Sequence, residues 1–290
     1  MCAPRRRGDE VTATVETPVR SGAAPVEERA VAPARRRRSR TGPLRYLSLL
    51  GLLAVWQVAT WAGWTSPDTL PGPAKVASAA WDLWSSGALV DALGVSLQRV
   101  LIGTAIGLVA GLGLGLLSGF SRKAELVVDA PVQAFRAVPF TALVPLFILW
   151  FGVDETPKVA IVAVGVAFPV YINTFAGIRD VDSKLVDVAR VYRLSRLQIA
   201  RRVLLPGALP SLLVGLRFAL TLAWIAVIVA EQLNASAGIG FLLTQARQFL
   251  QADVMVVCIA LYATLGLLTD LLVRAVERRV LVWRQAYSGN

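Results

Sequence analysis

Long apolar segments separated by short charged islands dominate this sequence, and they leave it few folds. A run of about 18 or more mostly apolar residues is the signature of a membrane-spanning helix. Lipid offers no partner to a backbone N–H or C=O, so such a run must satisfy its own hydrogen bonds. The expected fold class is therefore all-α, a polytopic membrane protein with six transmembrane helices. The spacing predicts spans near residues 44–63, 93–117, 126–150, 159–178, 209–229 and 254–272. Residues 74–84 read as a short helix on the bilayer surface or on the bundle. Residues 232–252 read as an outside segment, re-entrant or superficial, with Gly238 and Gly240 suited to a tight turn.

The charges set the orientation. Residues 1–43 hold ten Arg and five Asp/Glu with no sustained apolar period, and are expected to be a disordered basic tail. The cluster Arg35 to Arg38 plus Arg40 puts that tail in the cytoplasm. The run after it is long for a cleaved signal and lacks a clean small-x-small site, so it reads as an uncleaved anchor. The Arg122 loop, the stretch from Arg179 to Arg202 and the C-terminal tail are basic too. Outside loops carry one cation each, namely Lys75, Lys158 and Arg247. Both termini are therefore expected inside. The net charge of +11 records this topology and contact with anionic lipid, rather than nucleic acid.

The polar stretch between the fourth and fifth spans organises the rest. Seven Lys/Arg and three Asp lie between Arg179 and Arg202. Leu185, Ala189, Tyr192 and Ile199 can share one helical face. This predicts an amphipathic helix around residues 183–202, presented to something in the cytoplasm. Pro206 and Pro210 are expected to end it and turn the chain into the fifth span.

Within the spans the polar residues are few. Gly103, Gly107 and Gly111 repeat every four residues, a face suited to close helix contact. Pro131, Pro139 and Pro145 interrupt the third span, and Pro169 the fourth. Pro139, Pro145, Gly165 and Pro169 serve either as bending points or as fixed kinks. Arg136 either snorkels to the inner interface or faces the interior, with an architectural role or a cargo contact. Asn173, Arg217 and Glu231 complete the candidates for a translocation path or gate. Together with Asp270 they form no evident proton relay.

Several chemistries lack their residues. The chain has no histidine, so an ordinary hydrolytic triad cannot form. Cys2 and Cys258 make no disulfide framework. No cluster has metal-ligand spacing, and no phosphate-cradling Gly-rich Lys-Ser/Thr loop is present. A passive pathway driven by a partner fits better than an enzyme, and no cofactor is expected in this chain.

The basic stretch resembles the cytoplasmic motif of bacterial ABC importer permeases: Glu-Ala-Ala, then Gly, then Ile-x-Leu-Pro. The matching residues are Asp187, Val188 and Ala189, then Arg193 in the glycine's place, then Val203 to Pro206. The segments LPGPAKVASAAWDL, QAFRAVPFTALVPLFILWFG, LLPGALPSLLVGLRFALTLAW and VAEQLNASAGIGFLL are similar to the nitrate/sulfonate/taurine branch, so the resemblance runs over residues 65–284. It implies the type I ABC importer permease fold over residues 44–290 and an ATPase-coupling role for Asp187, Val188, Ala189, Arg190, Arg193, Leu205 and Pro206. It also implies a homodimer in the bacterial inner membrane, two ATPase subunits that bind ATP and Mg, and an extracytoplasmic substrate-binding protein. Asp187 would accept a hydrogen bond near its helix start or pair with a base of the partner. Arg190 and Arg193 would meet acids there, or stand as solvated or lipid-facing charges. The cargo expected is a small anion such as nitrate, a sulfonate or taurine. Two rivals are a self-contained secondary carrier or channel, and a non-transporting membrane scaffold.

Overall fold

The computed structural model describes residue 51, residues 54–64, residue 66 and residues 69–281. The basic tail and the start of the first expected span, residues 44–50, lie outside the described residues, as does the end of the C-terminal tail. Residues 54–61 are helical. Ten α-helices then follow. α1 is Pro73–Ser85, α2 Ala88–Phe120, α3 Arg122–Ala137, α4 Val144–Phe151 and α5 Glu155–Arg179. α6 is Ser183–Val191, α7 Arg196–Ile199, α8 Leu205–Asn234, α9 Ile239–Gln248 and α10 Ala252–Val280.

Four helices among the described residues are long and apolar enough to cross a membrane: α2, α5, α10 and the continuous helix Arg196–Leu233. Each extends beyond its sequence-predicted ends, because flanking polar residues continue the helix past the apolar run. The bent pair α3 and α4 makes a fifth, where six spans were expected.

The third span is not the single helix the apolar run over residues 126–150 predicts. α3 and the following helix meet at 90°. Val138 is extended at φ −80° and ψ 124°, as a residue before proline must be. Pro139 follows at φ −56° and ψ 123°. A 3₁₀ turn at Phe140–Leu143 then leads into α4, with Pro145 in its first turn. Pro131 and Pro169, by contrast, stay inside α3 and α5.

α5 lies between α2 and α8. The α2–α5 seam is glycine-lined, as the four-residue repeat predicts, and runs further than that repeat. A Cβ on Gly107 would lie 2.5 Å from the carbonyl oxygen of Ala163, and one on Gly111 2.6 Å from that of Ala167. Gly103, Gly115 and Gly119 press equally closely on Val162, Thr174 and Ile178. Gly113, off this face, has open space around it. Close backbone approach maximises dispersion contact where lipid supplies no hydrophobic drive between helices.

The basic stretch departs from expectation twice. It forms two helices, α6 and α7, not one, because the chain turns at Tyr192–Leu194. Ser195 then restarts the helix with a capping box, its hydroxyl accepting from the Gln198 N–H while Gln198 accepts from the Ser195 N–H. Nor do Pro206 and Pro210 end the helix. A π turn at Ala200–Leu204 joins α7 to α8 just before Pro206, and Pro210 sits inside α8. Pro206 offers no N–H to the carbonyl of Arg202, and the π turn changes the hydrogen-bond register at that point.

Candidate functional site

Two regions concentrate polar chemistry, one at each end of the bundle. At the α6 end, Asp182 caps α6 by accepting from the Lys184 N–H at 2.9 Å. The helix closes with a Schellman turn. The Leu194 N–H reaches the Ala189 carbonyl at 3.1 Å, and the Arg193 N–H reaches that of Arg190 at 2.8 Å. The residue at the left-handed position is Arg193, with φ +56°. This explains why the related motif carries glycine there, and shows that the turn survives the substitution. A side chain in that region costs about 1 kcal/mol or more. Arg193→Gly is therefore expected to raise stability by about 1 kcal/mol, seen as a higher melting temperature of the detergent-extracted protein.

Leu185 and Val188 of α6 and Tyr192 just past its end stand exposed, Tyr192 at 77 %. With buried Ala189 they face Val203 and Pro206 across an apolar groove of about 670 Å³. Ile199 is buried beyond the turn and does not share this face. Leu205 is half-buried beside it. Asp187 and Arg190 pair at 3.1 Å on the outer surface, where so exposed a bridge adds little stability. Arg196, Arg201 and Arg202 are exposed as well. Val188, Ala189, Val203 and Pro206 of the motif thus line one apolar groove, with Arg202 the cation in its wall.

The remaining sequence candidates are dispersed. Arg136 is exposed at the C-terminus of α3, where a cation suits the helix dipole. Pro139 and Pro145 mark the bend. Asn173 donates to the Pro169 carbonyl at 2.8 Å and borders a hollow of about 360 Å³ with Pro210, Ser211 and Val214. Arg217 pairs with Asp270 at 2.6 Å, and Asp270 also accepts from Arg274 at 2.7 Å, joining α8 to α10.

Glu231 belongs to the second region, and most of its neighbours were not legible in the sequence. It is 1 % exposed, and Arg99 is 3 % exposed. Arg99 donates to Glu231 at 2.8 Å, to the Ala237 carbonyl at 2.7 Å, and through two nitrogens to Glu155 at 2.6 and 2.7 Å. The Ser96 hydroxyl donates to Glu231 at 2.7 Å and accepts from the Ile239 N–H at 2.9 Å. The Gly240 N–H donates to Glu231 at 2.7 Å. Tyr262 adds a longer contact at 3.4 Å, and Lys158 donates to Glu155 at 2.9 Å. Helices α2, α5, α8, α9 and α10 meet in this network. Gly238, at φ +115°, has no room for a side chain, since a Cβ would stand 2.5 Å from Glu231 Oε1. Arg99 sits inside the second span, and its partners lie 56 and 132 residues away, so no local pattern marks it. Among the described residues no cluster of His, Cys, Asp or Glu could hold a metal ion.

An all-α bundle with several helices long and apolar enough to cross a bilayer defines a multi-pass membrane protein. The chain belongs to the family of binding-protein-dependent transport system inner membrane components, whose pattern it matches over residues 103–282. It is thus a permease subunit of an ABC-type transporter and an inner-membrane protein. It is 51 % identical to the putative aliphatic sulfonates transport permease SsuC of Escherichia coli strain K12, over 82 % of this chain and 90 % of that one. It is 32 % identical to the taurine transport permease TauC of the same strain, over 84 % and 91 %. It is 30 % identical to the nitrate import permease NrtB of Leptolyngbya laminosa, over 84 % and 95 %. In fold it matches a chain of the inward-facing MetNI methionine ABC transporter, with TM-score 0.61 and 24 % identity over 68 % of this chain and 97 % of that one.

Proposed function

We propose that this chain forms the membrane path of an ATP-driven importer for small anions, aliphatic sulfonates first, with taurine and nitrate as the related class. The cargo reading leans on the sulfonate, taurine and nitrate permeases it resembles. The observation that supports the coupling is the α6 groove, in which Leu185, Val188 and Tyr192 stand exposed and Arg202 lies in the wall. Apolar side chains raised on a short capped helix suit a cleft in a soluble subunit, and Arg202 suits an acid there. Two ATPase subunits, which hold ATP and Mg, dock there. Asp187, Ala189, Arg190, Arg193, Leu205 and Pro206 shape or border that contact. A second copy of the chain completes the pathway, and an external binding protein delivers cargo at the α9 end. Arg136, Pro139, Pro145, Asn173 and Arg217 are placed along the path or its gates. Six spans complete the fold once residues 44–63 are added, with both termini and the tail of residues 1–43 cytoplasmic. The basic inner surface rests on anionic lipid.

The test is ATPase activity of the complex in lipid vesicles, with the cognate ATPase and binding protein and a panel of alkanesulfonates, taurine and nitrate. Stimulation by an alkanesulfonate is expected. Val188→Asp, which puts a charge into the groove, is expected to weaken stimulation at least about tenfold. A well-folded chain that never binds the ATPase would move the weight to a self-contained carrier.

A further inference from the structure

The α9 end carries a hollow of about 630 Å³, within the range of small-ligand pockets, about 300–1,000 Å³. Its wall is mixed. Lys158, Gln232, Thr244, Gln245 and Gln248 offer polar groups, while Phe241 and Phe249 offer ring faces. Lys158 is the informative residue. It is 3 % exposed, and among the described residues its ammonium makes one hydrogen bond, to Glu155 at 2.9 Å. An ammonium carries three donors, so two remain for a guest. Glu231 borders the same hollow, but its oxygens already accept from Ser96, Arg99 and Gly240. A cationic guest would therefore meet an ammonium and an occupied carboxylate. An anionic guest would meet that ammonium and three amide side chains, beside a Glu231 carboxylate whose oxygens are already taken.

We propose that this hollow is a landing site for a short-chain organic oxyanion. The Lys158 ammonium and the amides of Gln245 and Gln248 take the head group, and Phe241 and Phe249 take the alkyl part. A sulfonate has three acceptor oxygens and spreads one negative charge over them, so one ammonium and several neutral donors suffice. The site stands at the end of the bundle where cargo arrives, and holds it before the path opens. This rests on the import reading above, and the experiment separates the two.

Alkanesulfonates of graded chain length are given to the reconstituted complex, and half-saturating concentrations are read from uptake. Gln245→Glu and Gln248→Glu each place a carboxylate in the hollow from an exposed position on α9. Each is expected to raise the half-saturating concentration about tenfold, with the subunits still co-purifying. Phe241→Ala is expected to shift preference towards longer chains, which a merely structural residue would not do. In parallel, pentanesulfonate binding to the unmutated chain in zwitterionic nanodiscs is read by saturation-transfer NMR, with 1-pentanol as the uncharged control. Sulfonate binding that Gln245→Glu removes is expected. No response of the wild-type complex to any anion overturns the import reading. Uptake with unchanged concentrations and chain-length order in all three variants overturns the landing site, as does nanodisc binding that is absent or indifferent to Gln245→Glu.

Discussion

Replacing Arg99 with leucine is expected to remove most folded protein from the membrane. Glu231 is buried, and Arg99 is the cation that faces it at 2.8 Å. Without it a desolvated carboxylate keeps only the neutral donors of Ser96, Gly240 and Tyr262. Removing one member of a buried pair costs about 3–5 kcal/mol, because the other charge remains in place. Domains hold together by only about 5–15 kcal/mol. Arg99→Lys should recover little, since an ammonium cannot span Glu155, Glu231 and the Ala237 carbonyl as the guanidinium does. The double change Arg99→Met with Glu231→Gln should recover more than either single change, because neither charge of the buried pair is left without the other. Fluorescence-detected size exclusion after graded heating checks these variants. An Arg99→Leu protein that melts like the wild type would falsify the structural role of the network.

Gly107→Val is expected to be nearly as damaging, for a steric reason. Its Cβ would stand 2.5 Å from a backbone oxygen of α5, and a carbonyl in a helix cannot step aside as a side-chain tip can. The two helices must separate, and the seam loses contact along its length. Overpacking of a well-packed interior costs about 1–3 kcal/mol, and a backbone clash lies at or above the top of that range. Gly113 supplies the control. It lies on the same helix, and a methyl group added there would meet nothing within 4 Å, so Gly113→Ala is expected to be neutral or to stabilise by about 0.5–1 kcal/mol. The yield of monodisperse protein after extraction, compared between the two variants, reads the difference. Equal yields would mean that α2 and α5 do not depend on this seam.

What the sequence made legible follows the range of each interaction. The glycine repeat is a local pattern with one consequence, so Gly103, Gly107 and Gly111 point straight at a helix seam. Turn chemistry is local too, yet Arg193 hides it, because arginine at a left-handed position looks like any basic residue of an amphipathic helix. The 90° bend was signalled by Pro139 and Pro145 as an interruption, but an apolar run has the same composition straight or folded. The α9-end network was least legible. Lys158 reads as an outside charge by the loop it adjoins, and only the folded chain shows it covered. Glu231 drew notice as a carboxylate at a span end, while Arg99, its counter-ion, gave no signal within its own helix.

The continuous helix from Arg196 to Leu233 has a mechanical consequence. Its 38 residues make a rod about 57 Å long at 1.5 Å per residue. One end stands beside the groove of α6, and the other carries Glu231. A rod that long is a lever: a tilt of about 5° about either end displaces the far end by about 5 Å, close to one helical turn. The buried ions at its tip resist such travel, since their hydrogen bonds hold over only a few tenths of an ångström. A push at the groove thus loads the tip before the tip gives way, so movement should come in jumps rather than glides.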